Sequence, residues 1–496
     1  MLKKSKYEKI ITCCFFLTVF LFCFLFFTKI NPIMIFDTDD WTYIRYSRPA
    51  LPIWGDWNPC RVLPETLMSL CSSFGVFVVN PFLNNYIFSL TISFAMVVSC
   101  FICIYLYCFY RLSLSKFNCP FSFSVFLTLF FFVCHFWVFR HNDSNNEYLF
   151  RANDACCYFY YIIPALLNAS IVLYLLRNNK YCFKNYKSSL KLSILILSIY
   201  FCVFSNLFQT SILISFFSFI ILKTLIENKG ILLTVKKAQI PIFGVLLWLF
   251  SLPFEVFGGR SQSGLTPQDF DLIGSLRNFI YNFHPNKLNA FFVIFSILLI
   301  TASIVLLIIN HKNNKNSATL YIIIISLFCI LYVSFFNIII CAKVGSTYIQ
   351  RSDILICVFF YIFLFISALL SFFSNIRCIK ILMPMVLVII CSFIITGNRT
   401  FKESNYANLN SDTVLRINNY IVEEIMEANN NGVTELKLSV PKFESEDNWP
   451  LTDTYGGNRV SEALYYHHII NNAQKTNVIF VPDNKINEEF GILTIE

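Results

Sequence analysis

IITCCFFLTVFLFCFLFFTKINPIMIFDTDDW, residues 10–41, decides the fold of this chain. Its first part, 10–28, is an unbroken apolar run of the length that crosses the ~30 Å hydrocarbon core of a bilayer. Thr28-Lys29-Ile30-Asn31-Pro32 offers no small-residue cleavage site, and the run exceeds a signal-peptide core, so it reads as a retained span. Directly beyond it lie Asp37, Asp39 and Asp40, with Trp41 following. Carboxylates crowded at the mouth of a membrane repel one another, and they persist where a cation, a proton transfer or a phosphate-bearing substrate uses them. A solvated acidic loop is the plain alternative, and placement after the first span favours the former.

Outward from that stretch, composition sets the class. The chain of 496 residues is 56% hydrophobic and 14% charged, with 57 Phe and a mean hydropathy of +0.63, which describes a polytopic α-helical membrane protein. Eleven apolar segments are expected, at about 10–28, 86–109, 119–139, 158–176, 190–205, 207–222, 239–257, 290–309, 319–340, 354–373 and 380–396. The fifth and sixth are divided only at Ser205-Asn206 and read either as a tight hairpin or as one broken helix.

Charge gives sidedness. Lys3, Lys4, Lys6 and Lys9 precede the first span, and the loops on that side carry Arg111, Lys116, Arg177–Lys191, Lys223–Lys237, Lys312, Lys315, Arg377 and Lys380. Before residue 397 only Glu8 and Glu227 share that side, so the positive-inside rule places the N-terminus in and the acidic loops out. With an odd number of spans the C-terminus is expected outside. Most of the 19 Cys fall within apolar segments, where they act as small hydrophobes. Cys60 with Cys71, or the vicinal Cys156–Cys157 with a partner elsewhere, are the conceivable disulfides, and no CxxC–CxxC or CxxC–HxxxH spacing supports a zinc site.

Residues 1–396 form the expected membrane domain. Its first external loop, 29–85, holds Trp41, Trp54 and Trp57 with Arg45, Arg48, Arg61 and Glu65. After Pro64 the stretch 65–79 predicts an apolar helix lying in the interface. The second loop carries Asp143, Glu147, Arg151 and Asp154, the fourth opens Gly258-Gly259-Arg260, and the fifth ends at Arg351 and Asp353. Residues 397–496 change to a soluble composition. Apolar residues at helical spacing from Val414 to Ile425, alternation over 435–440 and again over 477–481, and a helical stretch over 459–470 predict a small extracytoplasmic α/β domain. Trp449 there stacks on a sugar ring or anchors the tail to the membrane face.

An outward carboxylate pair beneath Trp- and Arg-rich loops suits glycosyl transfer from a lipid-linked donor. A carboxylate takes the proton of an acceptor hydroxyl, Arg forks hold the departing phosphate, and aromatic faces support sugars. A basic N-terminus, one span and an acidic pair resemble the GT-C superfamily of membrane glycosyltransferases. Asp39-Asp40-Trp41 followed by Trp57-Asn58-Pro59-Cys60-Arg61-Val62-Leu63-Pro64-Glu65 is similar to the acidic pair and later Gly/Asn-x-Arg element of bacterial members, among them O-antigen-modifying glucosyltransferases. The departure is Asn-Pro-Cys-Arg where a Gly before the Arg is expected. The resemblance implies a hexosyltransferase of the bacterial inner membrane, using a polyprenyl-phosphate sugar and a cell-envelope glycan acceptor such as the O-antigen of lipopolysaccharide. Asp39 or Asp40 would be base or organiser, with Asp37 secondary. Arg61, Glu65, Trp41, Trp57, Arg351, Asp143 and Arg260 are the candidate substrate contacts. No metal ligand is assigned, a divalent cation is left open, and no nucleic-acid partner is expected. An O-antigen polymerase, another lipid-linked glycan enzyme or a polysaccharide transporter is the alternative. A charge-coupled carrier, however, would place ionisable residues within its spans.

Overall fold

The computed structural model describes residues 6–45, 47–141, 146–263, 269–309, 317–374, 376, 401–470 and 476–493. The chain is a helical membrane protein. Among the described residues, eight helices are long and apolar enough to cross a bilayer: α1 (Lys6–Ile30), α3 (Val62–Leu83), α4 (Tyr86–Ser115), α6 (Ala155–Asn178), α8 (Leu207–Asn228), α10 (Gln239–Val256), α14 (Ser317–Val344) and α15 (Ser352–Ser371). Three shorter apolar helices join them: α5 (Phe121–Trp137), α7 (Ser189–Val203) and α13 (Ala290–Ile309). Short helices fill the connections: α2 (Thr38–Tyr43), α9 (Ile231–Lys237), α11 (Gly259–Gln262) and α12 (Leu272–Tyr281). The expected segment 380–396 lies outside the described residues.

Contacts sort the helix ends onto two faces. On one, Thr12 of α1 meets the Tyr110 hydroxyl of α4 at 3.2 Å, Ile240 N donates to Tyr181 O at 2.9 Å, and Lys223 sits 4.0 Å over the Tyr321 ring. This is the basic end. On the other, Leu63 N donates to Phe204 O, Asn289 N to Val138 O and Asp271 N to Ala342 O. Three helices start there on side-chain caps: Asn85 accepts from Phe88 N, Asp154 from Cys157 N and Asn206 from Phe208 N. A helix beginning near lipid cannot leave its first N–H groups bare, so these Asx residues mark where spans begin.

The 190–222 region is a hairpin. Phe204 to Asn206 breaks the helix, with Asn206 extended (φ −153°, ψ 131°), and both outer ends of α7 and α8 return to the basic face. The 62–83 helix differs from its neighbours. Its start packs on Phe204, while Phe77 near its far end touches the His467 ring, so both ends lie at the same face. It therefore lies across that end of the bundle, although its length and composition also make it a candidate span. Close seating on α4 fixes it there: a Cβ on Gly75 would come 2.9 Å from Ser89 O.

Burial identifies the middle of the bundle. The most apolar windows of α6 and α15 are 83% and 89% buried by protein, against 22% for α1 and α10, which keep their side chains for lipid. Gln209 Nε2 donates to Asp353 O at 2.7 Å and Tyr361 OH to Ile212 O at 2.6 Å, tying α8 to α15 in a setting where each unpaired polar group is costly.

The tail contains α16 (Ser411–Asn430), β1 (Glu435–Val440), α17 (Gly456–Tyr466), β2 (Asn477–Pro482) and α18 (Asn484–Phe490). The strands pair in parallel, Glu435 with Asn477 through Val440 with Pro482, and α17 makes the crossover such pairing needs. This unit sits directly on the acidic helix α2. Thr38 N and Oγ1 both donate to Pro450 O (3.0 and 2.8 Å), Asn418 Nδ2 donates to Ile35 O at 2.6 Å, and Arg45 pairs with Glu462.

A pH-dependent dock results. His467 is 2% exposed, its Nδ1 lies 2.7 Å from the Tyr86 hydroxyl, and its surroundings include the Ile44 backbone, Phe77 and His468. Burial pulls the imidazole down to about 4, below its unfolded value of ~6.5. Because the folded site disfavours imidazolium, the contribution is whole above pH ~6.5 and is lost as the pH falls towards 4, at most about 3 kcal/mol. Limited proteolysis of the tail should rise steeply between pH 6.5 and 4.5, and His467→Gln should flatten that rise; equal profiles would refute it.

Candidate functional site

Helix α2 divides its three carboxylates among three jobs. Asp37 stands at the N-cap, and Asp40, three positions on, turns back so that Oδ2 accepts from Phe36 N (2.9 Å) and Asp37 N (3.3 Å). Its Oδ1 accepts from Cys156 N at 2.6 Å, joining α2 to the start of α6. Asp40 is fully buried and both oxygens are engaged, so it organises the site rather than meeting a ligand. Asp37 is equally buried; its side chain closes a capping box with the Asp40 backbone N–H, and the Tyr406 amide is a further backbone donor to it. Desolvation first, then the charge of Asp154, raises its carboxyl well above the usual range.

Asp39 is the one open carboxylate of the three. It is exposed, and its side chain makes no hydrogen bond among the described residues. Burial of its surroundings and then Asp154 push it up to about 6, while Arg260 and Arg459 pull it back. A carboxylate that is exposed, unengaged and close to neutral in affinity for a proton has the properties of a general base.

The cations differ from expectation. Arg260 is exposed on α11 and lies within the electrostatic reach of Tyr161, Tyr348 and Asp39. The helix reaches this position because Gly259 lets its backbone lie on the first loop: Gly259 N donates to Asp56 O at 2.8 Å, and a Cβ there would stand 3.1 Å from Trp57 Cα. Arg351, expected to grip phosphate, has its fork closed on Asp353 (3.0 and 2.6 Å), with Tyr161 and Tyr348 against its face. Arg61 is buried, donates to Ser205 O at 3.1 Å and lies over the Tyr160 ring, which makes it part of the wall.

Glu65 is likewise spent: Oε2 pairs with Arg48 at 2.8 Å and Oε1 accepts from Tyr160 OH at 2.7 Å. Arg48 in turn donates to Asn58 O and Pro59 O, so this ion pair braces the loop. Trp41 is fully buried and stacked on Tyr86, a core residue rather than a sugar platform. Trp57 is 44% exposed and remains available. Asp143 lies outside the described residues.

The residues missed in sequence come from distant segments. Arg459, on α17 of the tail, acts electrostatically on Asp39 and also pairs with Glu462 at 3.5 Å. Asp154, read as one acid of a loop, is the charge common to Asp37, Asp39 and Asp40. Neither disulfide forms: Cys60, Cys71, Cys156 and Cys157 are all free and buried. Among the described residues one group could hold a metal, Asp154 with Cys156 and Cys157, whose ligand atoms lie within 4.8 Å of one another. The spacing Asp-x-Cys-Cys at a helix start falls outside the Cys/His patterns that sequence reading tests. No family model, curated protein or solved structure matches the chain.

Proposed function

We propose that the chain is a membrane glycosyltransferase that moves a sugar from a polyprenyl-phosphate donor to a cell-surface glycan such as O-antigen, at the outer face of the bacterial cytoplasmic membrane. The observation that carries this reading is Asp39: one exposed carboxylate at the end of an apolar bundle, within the electrostatic reach of Arg260 and Arg459. In the reaction Asp39 takes the proton of an acceptor hydroxyl as that oxygen bonds to the anomeric carbon. The bond from the anomeric carbon to the donor phosphate oxygen breaks, and the phosphate leaves with the polyprenyl chain. Arg260 meets the charge that develops on it, Asp40 holds α2 in place, and Trp57 offers an open ring to a sugar.

Purified protein in proteoliposomes, given a polyprenyl-phosphate hexose and a lipid-linked glycan, should transfer the sugar. Arg260→Ala should lower transfer about 10- to 100-fold at limiting donor, the value of a charge-assisted hydrogen bond to phosphate. Wild-type transfer by that variant would remove Arg260 from the site.

The basic end of the bundle faces the cytoplasm in this reading, and the tail shares the outer face with Asp39. A periplasm-active reporter fused after Glu496 should be active and a cytoplasm-active one silent. The reverse pattern would turn the whole site inward.

A further inference from the structure

We propose that Asp154, Cys156 and Cys157 form a binding site for a thiophilic divalent cation of the zinc class. Cys156 Sγ lies 3.2 Å from Asp154 Oδ1 and Cys157 Sγ 3.3 Å from Oδ2, with all three residues buried. A tetrahedral ion with metal–sulfur bonds of about 2.3 Å and a metal–oxygen bond of about 2.0 Å holds sulfur and oxygen about 3.5 Å apart. Each sulfur thus lies within a few tenths of an ångström of that edge from one of the two carboxylate oxygens, and the three ligand atoms lie within 4.8 Å of one another. Their backbone is fixed independently: Asp154 caps the helix through Cys157 N at 2.6 Å, and Cys156 N is held by Asp40 at 2.6 Å.

Binding releases the two thiol protons to solvent as two metal–sulfur bonds form. Arg351 Nη2, 3.2 Å from Cys157 Sγ, supplies a positive charge beside the resulting thiolates. Two sulfurs select zinc-like ions over magnesium or calcium, which take oxygen shells. The inference stands whether or not the sugar-transfer reading holds.

The test uses full-length protein in detergent, stripped with a chelator and reloaded with Zn²⁺. One equivalent should survive desalting, and zinc-edge X-ray absorption should show sulfur at about 2.3 Å together with a lighter atom at about 2.0 Å. Cys156→Ser/Cys157→Ser should lose the ion, whereas Cys60→Ser/Cys71→Ser should keep it. If the double variant does not fold, Asp154→Asn, nearly the same shape, should weaken Zn²⁺ binding about tenfold or more. A shell without sulfur, no retained zinc, or wild-type binding by the folded variants would each overturn the proposal.

Discussion

Asp39→Asn should abolish the proposed sugar transfer and leave the protein folded at its normal level in the membrane. Asn has nearly the same shape but cannot accept the acceptor proton, and general-base catalysis contributes roughly 10²–10⁴-fold. The substitution costs the fold little, because the Asp39 side chain makes no hydrogen bond among the described residues and Asp154 repels it. Stability should therefore stay within about 0.5 kcal/mol of wild type. Transfer in proteoliposomes, read beside thermal unfolding of the same sample, separates the two effects. Transfer at the wild-type rate would remove Asp39 from the chemistry.

Asp40→Ala has the opposite signature, with most of the folded protein lost. Three buried backbone amides, of Phe36, Asp37 and Cys156, lose their acceptor together. Each unsatisfied group costs about 1–3 kcal/mol, so the sum approaches the whole stability of an ordinary domain. The same change cuts α2 loose from α6 beneath the tail's docking contacts. The melting temperature and the yield of folded protein should collapse, and Asp40→Asn, which keeps one carbonyl oxygen, should fall between. A well-folded Asp40→Ala protein without activity would instead make Asp40 a participant in the reaction.

The contrast between these neighbours shows what the sequence could convey. The cluster at 37–40 was visible as three acids after a span, but their roles were not. In a helix successive side chains point about 100° apart, so Asp39 is exposed while Asp40 turns inward, and only the packing decides which is which. The spans were legible because lipid demands long apolar runs, and the break at Ser205-Asn206 because Asn caps helices. The strands at 435–440 and 477–482 showed their alternation. Pairings across the chain were hidden. Glu65 looked free until Arg48 and Tyr160 were seen to hold it, and Trp41 looked like a platform until Tyr86 covered it. Arg351 could have been read better, since Asp353 two positions on is in reach of its fork. Arg459 lies hundreds of residues beyond Asp39, and nothing local marks it; the docking of Gly456 against Thr38, where a Cβ would stand 3.3 Å from Oγ1, brings its helix close.

The central claim is that this protein adds a sugar to an extracytoplasmic glycan and that Asp39 performs the proton transfer. Mass spectrometry of surface glycans from bacterial cells expressing wild-type protein, Asp39→Asn protein at matched membrane levels, or none tests it directly. The account predicts glycans heavier by whole sugar residues in the wild-type cells alone, with the variant and the empty cells identical. Identical glycan masses in all three, or an unchanged increment in the Asp39→Asn cells, would contradict it.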